Sequence, residues 1–242
     1  IYATNITPDK QRGIGAYSFD EFDRAMRQGI AKDGHRLYPA MPYTSYAKMN
    51  AEDMRALYDY LMNEVPAQNT ANRASDISWP LSMRWPLAVW NQLFHDDTPY
   101  QPDHNQSAEW NRGAYLVQGA GHCGSCHTPR GWAMQEKGLD SKEPAFLSGA
   151  ELDGWYASGL RGMKQDEVVA LLKTGRSQHA AVSGPMSEVV SHSTQYLTDG
   201  DLNAIATYLH SLAAEQPAAQ KVMPLAADHQ QAGQRSYAMY CS

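Results

Sequence analysis

The chain has 242 residues, enough for one large domain or two small ones. Hydrophobic residues make up 43% and charged residues 19%, and the formal net charge is −6, an ordinary folded composition that offers no basic surface to nucleic acid. No apolar run approaches the roughly 18 residues of a membrane span, and the start, Ile1-Tyr2-Ala3-Thr4, reads as mid-domain sequence, so a fragment of a longer chain is expected.

Residues 1–17 read as loop, broken by Asn5, Pro8, Asp9, Gly13 and Gly15. Ser18 with Glu21 has capping-box spacing, and Phe19, Phe22, Met26 and Ile30 recur as one buried helical face requires. Gly29 and Gly34 close that helix. The loop Leu37-Tyr38-Pro39-Ala40-Met41-Pro42-Tyr43 follows. Asn50 with Asp53 then opens a second helix, carrying Met54, Leu57, Tyr58 and Leu61, that Pro66 stops. The stretch after it holds Trp79, Trp85, Trp90 and several prolines, with Trp110 just beyond. Pro86 suits a first helical position, with Leu87, Trp90, Leu93 and Phe94 on one face. This stretch is expected to be a structured connector clamping two units together.

The chemistry concentrates in Cys123-Gly124-Ser125-Cys126-His127. Two thiols three apart, followed at once by an imidazole, is the spacing that attaches a c-type haem. On one helical turn both thiols face the porphyrin vinyl groups, and His127 projects toward the iron. The same C-x-x-C pair also suits zinc or dithiol redox chemistry, and both readings stay open on the motif alone.

The context favours haem. Asp20-Glu21-Phe22 and Gly29 match Asp166-Glu167-Val168 and Gly175 at an offset of 146, and Met41 matches Met186 at 145. Residues 56–61 match residues 204–209 at 148, so the chain carries two copies of a helix, a Met loop and a terminal helix. Gly233, Tyr237 and Tyr240 lead into Cys241 as Gly113-Ala114-Tyr115 lead toward Cys123, which makes Cys241 the expected start of a second attachment motif. An incidental terminal cysteine is the alternative.

Haem iron held by His127 takes a second axial ligand, and a thioether closes the metal and suits electron transfer. Met186 lies 59 residues after His127 in the loop Ser183-Gly184-Pro185-Met186, ahead of a helix capped by Thr198 with Asp201, and it has Met41 as its repeat partner. Met163 and Met134 lack that context. The Pro129 carbonyl is expected to accept the other ring N–H of His127 and fix its tautomer. Arg130, Arg176 and His179 are candidates for haem propionates or for solvated surface, and His122, His192 and the remaining histidines are expected on the surface.

Residues 123–127 with Thr128-Pro129-Arg130-Gly131, together with Phe146-Leu147-Ser148-Gly149, residues 184–190 and residues 37–43, resemble the cytochrome c subunits of bacterial membrane-bound dehydrogenases. The resemblance covers nearly the whole chain. It implies an all-α fold of tandem class I cytochrome c domains, one complete and two partial. Residues 1–66 would be the end of the first domain, 67–104 a connector, 105–216 the complete second domain and 225–242 the start of the third. It implies haem c on Cys123 and Cys126, axial ligation by His127 and Met186, ligation of the first of three haems by Met41, and Cys241 as the third motif's first thiol. The subunit would pass electrons from a flavin- or PQQ-containing dehydrogenase to ubiquinone, with no substrate site of its own. A small accessory subunit, a place on the periplasmic face of the cytoplasmic membrane, and anchoring through segments outside this chain complete the expectation. Gluconate 2-dehydrogenase is the first expected partner and a quinoprotein alcohol dehydrogenase the second. A multihaem peroxidase is the weaker alternative, because it needs an open iron. The second copy lacks eight residues that the first has after its residues 1–6, so one side of the second haem is expected to be more exposed.

Overall fold

In the computed structural model, which describes residues 2–213 and 227–240, helix α1 (Phe19–Gln28) starts as its capping box requires. The Glu21 N–H donates to Ser18 Oγ at 3.2 Å while the Ser18 N–H donates to Glu21 Oε2 at 2.8 Å, satisfying two donors that a helix start leaves unpaired. Gly29, at φ 63°, ends it in the left-handed conformation that glycine adopts at no steric cost. The remaining elements are α2 (Tyr43–Tyr46), α3 (Ala51–Asn63), α4 (Pro86–Phe94), α5 (Ala108–Gln118), α6 (Gly124–His127), a hairpin of β1 (Ala150–Leu152) and β2 (Trp155–Ala157), then α7 (Gln165–Thr174), α8 (Pro185–His192), α9 (Asp199–Ser211) and α10 (Ala227–Tyr240). The regular structure is mostly helical, as an all-α reading expects, with one two-stranded sheet that the sequence reading lacked.

The repeat is visible element by element. Helices α1 and α7 end at Gly29 and Gly175, at φ 63° and 75°, and each is followed by an antiparallel bridge, Ile30 with Arg36 and Arg176 with Ala181. Helices α3 and α9 each have 13 residues and are capped by Asn50 and Thr198, whose side chains accept from Asp53 N–H and Asp201 N–H. The stretches between them differ: α2 has four residues and α8 eight.

Two apolar clusters organise these copies. One gathers Phe22, Met49 and Met54, with Tyr17, Phe19, Met26 and Tyr58 around them. The other gathers Ala114, Val117, Phe146, Leu147, Val168, Ile205, Tyr208 and Leu209. Its centre is the crossing of α5 and α9. There Gly113 lets the two backbones meet, because a Cβ at that position would lie 1.9 Å from the Ala204 carbonyl oxygen. Trp110 packs edge-on against Tyr208 at 5.0 Å and donates through Nε1 to Ser211 Oγ at 2.7 Å. Gln118 Nε2 donates to the fully buried Tyr208 hydroxyl at 2.8 Å. Tyr208→Phe strands that amide donor, so the holoprotein should lose about 1–3 kcal/mol, read as a lower denaturation midpoint. An unchanged midpoint would show that Gln118 finds another acceptor.

Helix α4 packs against residues on both sides of it in the chain, with one change of face. Asn91 accepts from the Tyr43 hydroxyl at 2.7 Å and donates to the Gln28 carbonyl at 2.9 Å, while Trp90 Nε1 donates to the Ala133 carbonyl at 2.8 Å. Helix α4 therefore touches both copies. Leu93 leaves the packed face, which is built from Trp90, Asn91 and Phe94; Leu93 instead lies exposed with Trp85 and Val89, spaced four residues apart. His95 and His122 also depart from the expected surface set. Each is half-buried, His95 Nε2 facing the Arg27 carbonyl at 2.6 Å and His122 packing edge-on against Tyr46 at 5.8 Å.

Candidate haem-attachment site

Helix α6 is a single turn that begins at Cys123 and ends at Thr128, whose extended φ −115°, ψ 132° is what a residue before proline adopts. The His127 N–H donates to the Cys123 carbonyl at 3.0 Å, closing the turn that carries both thiols. Thr128 is fully buried and its Oγ1 accepts from the Leu147 N–H at 2.9 Å, pinning the turn to the second core. Glycine at position 124 lets Glu136 approach the turn, since a Cβ there would lie 2.5 Å from Glu136 Oε2 and 3.3 Å from Phe146 and would make the carboxylate shift.

Both sulfurs are free, Cys123 half-buried and Cys126 exposed. Burial pushes the Cys123 thiol up to about 12 and raises that of Cys126 as well. Dithiol redox centres work through a lowered thiol pKa, so this pair is set the wrong way for that chemistry. Among the described residues, no cluster of three or more His, Cys, Asp or Glu is placed to hold a metal ion.

His127 Nδ1 lies 2.7 Å from the Ser158 carbonyl oxygen, an acceptor, so Nδ1 carries the proton and Nε2 keeps its lone pair. Burial pushes His127 below its usual value, which keeps the ring neutral as a metal ligand must be. This corrects the expectation for Pro129. Its carbonyl accepts from the Lys137 N–H at 2.9 Å instead, because residues 130–136 fold back as an antiparallel bridge that brings Lys137 over it.

The hairpin ties His127 to the Met segment. The Gly149 N–H, just before β1, donates to the His127 carbonyl at 2.8 Å, and Ser158, just after β2, holds the ring. Trp155 of β2 lies flat against Gly184, where a Cβ would come within 2.6 Å of the indole. Met186 follows two residues later, half-buried. It sits in the first turn of α8 rather than in a loop, because Pro185 takes the first helical position, where its missing N–H costs nothing. Met41, in the first copy, is half-buried and non-helical, its carbonyl accepting from the Tyr43 N–H at 2.7 Å. Cys241 lies outside the described residues.

The donors fit a covalent haem: two thiols on one turn, a neutral imidazole with one nitrogen free, and a thioether on a neighbouring helix. Trp155, Tyr156 and Val189 on the hairpin and α8 are exposed apolar side chains of the kind a porphyrin covers.

No family model matches the chain. It is 52% identical over 227 residues to the gluconate 2-dehydrogenase cytochrome c subunit of Pantoea cypripedii, covering 89% of this chain and 52% of that one. To the cytochrome c subunit of alcohol dehydrogenase (quinone) from Gluconacetobacter polyoxogenes it is 53% identical over 223 residues, covering 88% and 48%. A diheme cytochrome c-type protein of Cereibacter sphaeroides is 32% identical over 211 residues, with 85% of this chain and 69% of that one covered. The chain belongs to the c-type cytochromes. It spans about half the length of these two dehydrogenase subunits.

In this cytochrome the expected propionate partners are largely engaged elsewhere. Arg130 donates to the Ser125 carbonyl at 2.6 Å and to the Met134 carbonyl at 3.3 Å, and it stands 3.6 Å from Glu136. His179 pairs with Glu167. Ser158, Trp155 and Glu136 escaped the sequence reading. A backbone carbonyl leaves no compositional mark, and Glu136 reaches the attachment turn only through the 130–136 fold-back. The Trp155-Tyr156 pair beside Gly154 was the one available signal, an aromatic strand after a turn.

Proposed function

We propose that this cytochrome carries haem c covalently on Cys123 and Cys126, ligates its iron through His127 and Met186, and relays electrons from a dehydrogenase subunit to ubiquinone. The observation that carries the reading is the fixed His127 ring: Nδ1–H on the Ser158 carbonyl, Nε2 free, both thiols on the same turn. When bound, the haem supplies a one-electron couple. The chain's part is to orient His127 through Ser158, to hold the attachment turn rigid through Thr128, and to seat Met186 on α8 behind the Trp155 hairpin. Met41 would serve a first haem in the same way, and Cys241 would open a third attachment motif after α10.

The two apolar clusters support domains at residues 1–66 and 105–216, joined by 67–104, with 225–242 beginning another. Three haems are proposed for the whole protein. The partner is proposed to be a flavin- or PQQ-containing dehydrogenase with a small accessory subunit, on the periplasmic face of the cytoplasmic membrane. Among the described residues no helix is long and apolar enough to cross a membrane. Contact with membrane and ubiquinone is proposed through segments outside this chain. Gluconate 2-dehydrogenase is our first choice of partner, and the equal identity to an alcohol dehydrogenase subunit keeps the quinoprotein as the second.

Expression with haem-maturation machinery should give a red protein whose reduced spectrum shows a sharp low-spin c-type band. The colour should stay with the polypeptide after denaturation. A colourless or zinc-loaded product overturns the reading. Partner choice is tested by adding gluconate with gluconate 2-dehydrogenase flavoprotein, or ethanol with a quinoprotein, and watching which pair reduces the haem.

A further inference from the structure

Glu136 is the most deeply buried carboxylate in the ion pairs of the described structure, its side chain 4% exposed. It lies directly behind the attachment turn. One oxygen stands 3.5 Å from Ser125 Oγ and 3.6 Å from Arg130, and the other faces Gly124, 2.5 Å from where a Cβ would stand. The Arg130–Glu136 bridge folds the 130–136 loop against the turn, so the carboxyl has little room to move away. Its pairing is incomplete. The best donors of Arg130 go to the Ser125 and Met134 carbonyls, leaving Glu136 a long contact rather than a bidentate one. Lys48, from the segment after α2, lines the same closed crevice, yet its ammonium is paired with Asp96 at 2.9 Å. Thr44, Ser45, Val117, Gln118 and Phe146 complete the lining without adding charge. Once haem is attached, Cys123 and Cys126 are thioethers and do not titrate.

A buried, half-compensated carboxyl beside a redox centre responds to the charge of that centre. Burial already pushes Glu136 above the usual carboxylate range, the nearby Arg130 and the Ser125 hydroxyl opposing that rise. Adding an electron to the iron removes one positive charge from the haem and makes the carboxylate still less favourable.

We propose that Glu136 takes up a proton from solvent when the second haem is reduced and releases it on oxidation, making it a positioning residue that couples the haem's potential to pH. The step balances as one electron onto iron and one proton onto a Glu136 carboxyl oxygen. The crevice lies between α2 of the first copy and the attachment turn of the second. The inference rests on the haem reading above.

The test is spectroscopic potentiometry of the haem-loaded protein from acidic to alkaline pH. The second haem's midpoint should fall as pH rises, with a limiting slope of about 59 mV per tenfold change in proton concentration for a one-electron couple. Glu136→Gln keeps the shape and removes the titration. Its midpoint should match wild type at acidic pH and exceed it at alkaline pH, the two curves diverging. Parallel curves in a haem-loaded variant overturn the proposal while leaving the haem reading intact, whereas absence of covalent haem defeats the earlier reading first. If the variant does not mature, reduced-minus-oxidised infrared spectra of wild type decide. A carboxylic-acid signal of a buried group on reduction is expected, and its absence refutes the coupling.

Discussion

Replacing Met186 by alanine should lower the midpoint potential of the second haem and open its iron to carbon monoxide. A thioether is a soft donor that favours the reduced metal, so removing it stabilises the oxidised form. Axial ligation spans about 0.8 V across haem proteins, and the shift expected here is a sizeable fraction of that range. The chain offers few substitutes. Met134 lies exposed in the tight 130–136 turn, and Met163 packs against the second core, so neither is free to move onto an iron. The backbone at Met186 is fixed from two directions: Pro185 starts its helix and Gly184 lets Trp155 close over the preceding backbone. Potentiometry with a carbon monoxide difference spectrum checks this, and Met41→Ala should leave the second haem unmoved. A Met186→Ala protein with wild-type potential and no ligand binding would remove Met186 from the iron.

How much of this was legible before folding depended on whether the signal was local. The Ser18–Glu21 box, the caps at Asn50 and Thr198, Pro86 at a helix start and Gly29 at a helix end each lie within one turn of what they satisfy, and all appear as read. The C-x-x-C-H spacing is equally local, and it forms one turn. The orientation of His127 was misassigned because its acceptor is 31 residues away: Ser158 arrives through a hairpin whose strands have three residues each, too short for a period-two pattern to register. Leu93 went to the wrong face for a related reason. Both stripes of α4 are apolar, so hydrophobicity could not say which one the Tyr43 and Gln28 contacts would claim. Glu136 illustrates the limit most sharply, as an ordinary charged residue in a loop that the fold places behind the one reactive turn.

The crossing of α5 and α9 sets the second large expectation, that Gly113→Ala will disrupt the attachment domain. Intrinsic helix preference predicts the opposite sign, since alanine in place of a helical glycine gains about 1 kcal/mol. Sterics decide against it. A Cβ at 113 would sit 1.9 Å from the Ala204 carbonyl oxygen and 2.8 Å from the Tyr208 Cβ, and rigid backbone, unlike a flexible side-chain end, cannot yield cheaply. The helices would have to part, straining the nearby Trp110–Tyr208 contact and Arg112–Asp201 pair. Overpacking of a well-filled core costs about 1–3 kcal/mol, occasionally more, and exceeds the propensity gain. Gly233 in α10 supplies the control: nothing lies within 4 Å of a Cβ there, so Gly233→Ala should be neutral or stabilising. Thermal denaturation of the two holoproteins, with haem content measured in each, separates the effects. Because Cys123 hangs from Val117 of α5 through its N–H at 3.1 Å, a displaced α5 should also lower the yield of attached haem. A Gly113→Ala protein as stable and as fully loaded as wild type would mean that the two helices are not packed this closely when haem is present.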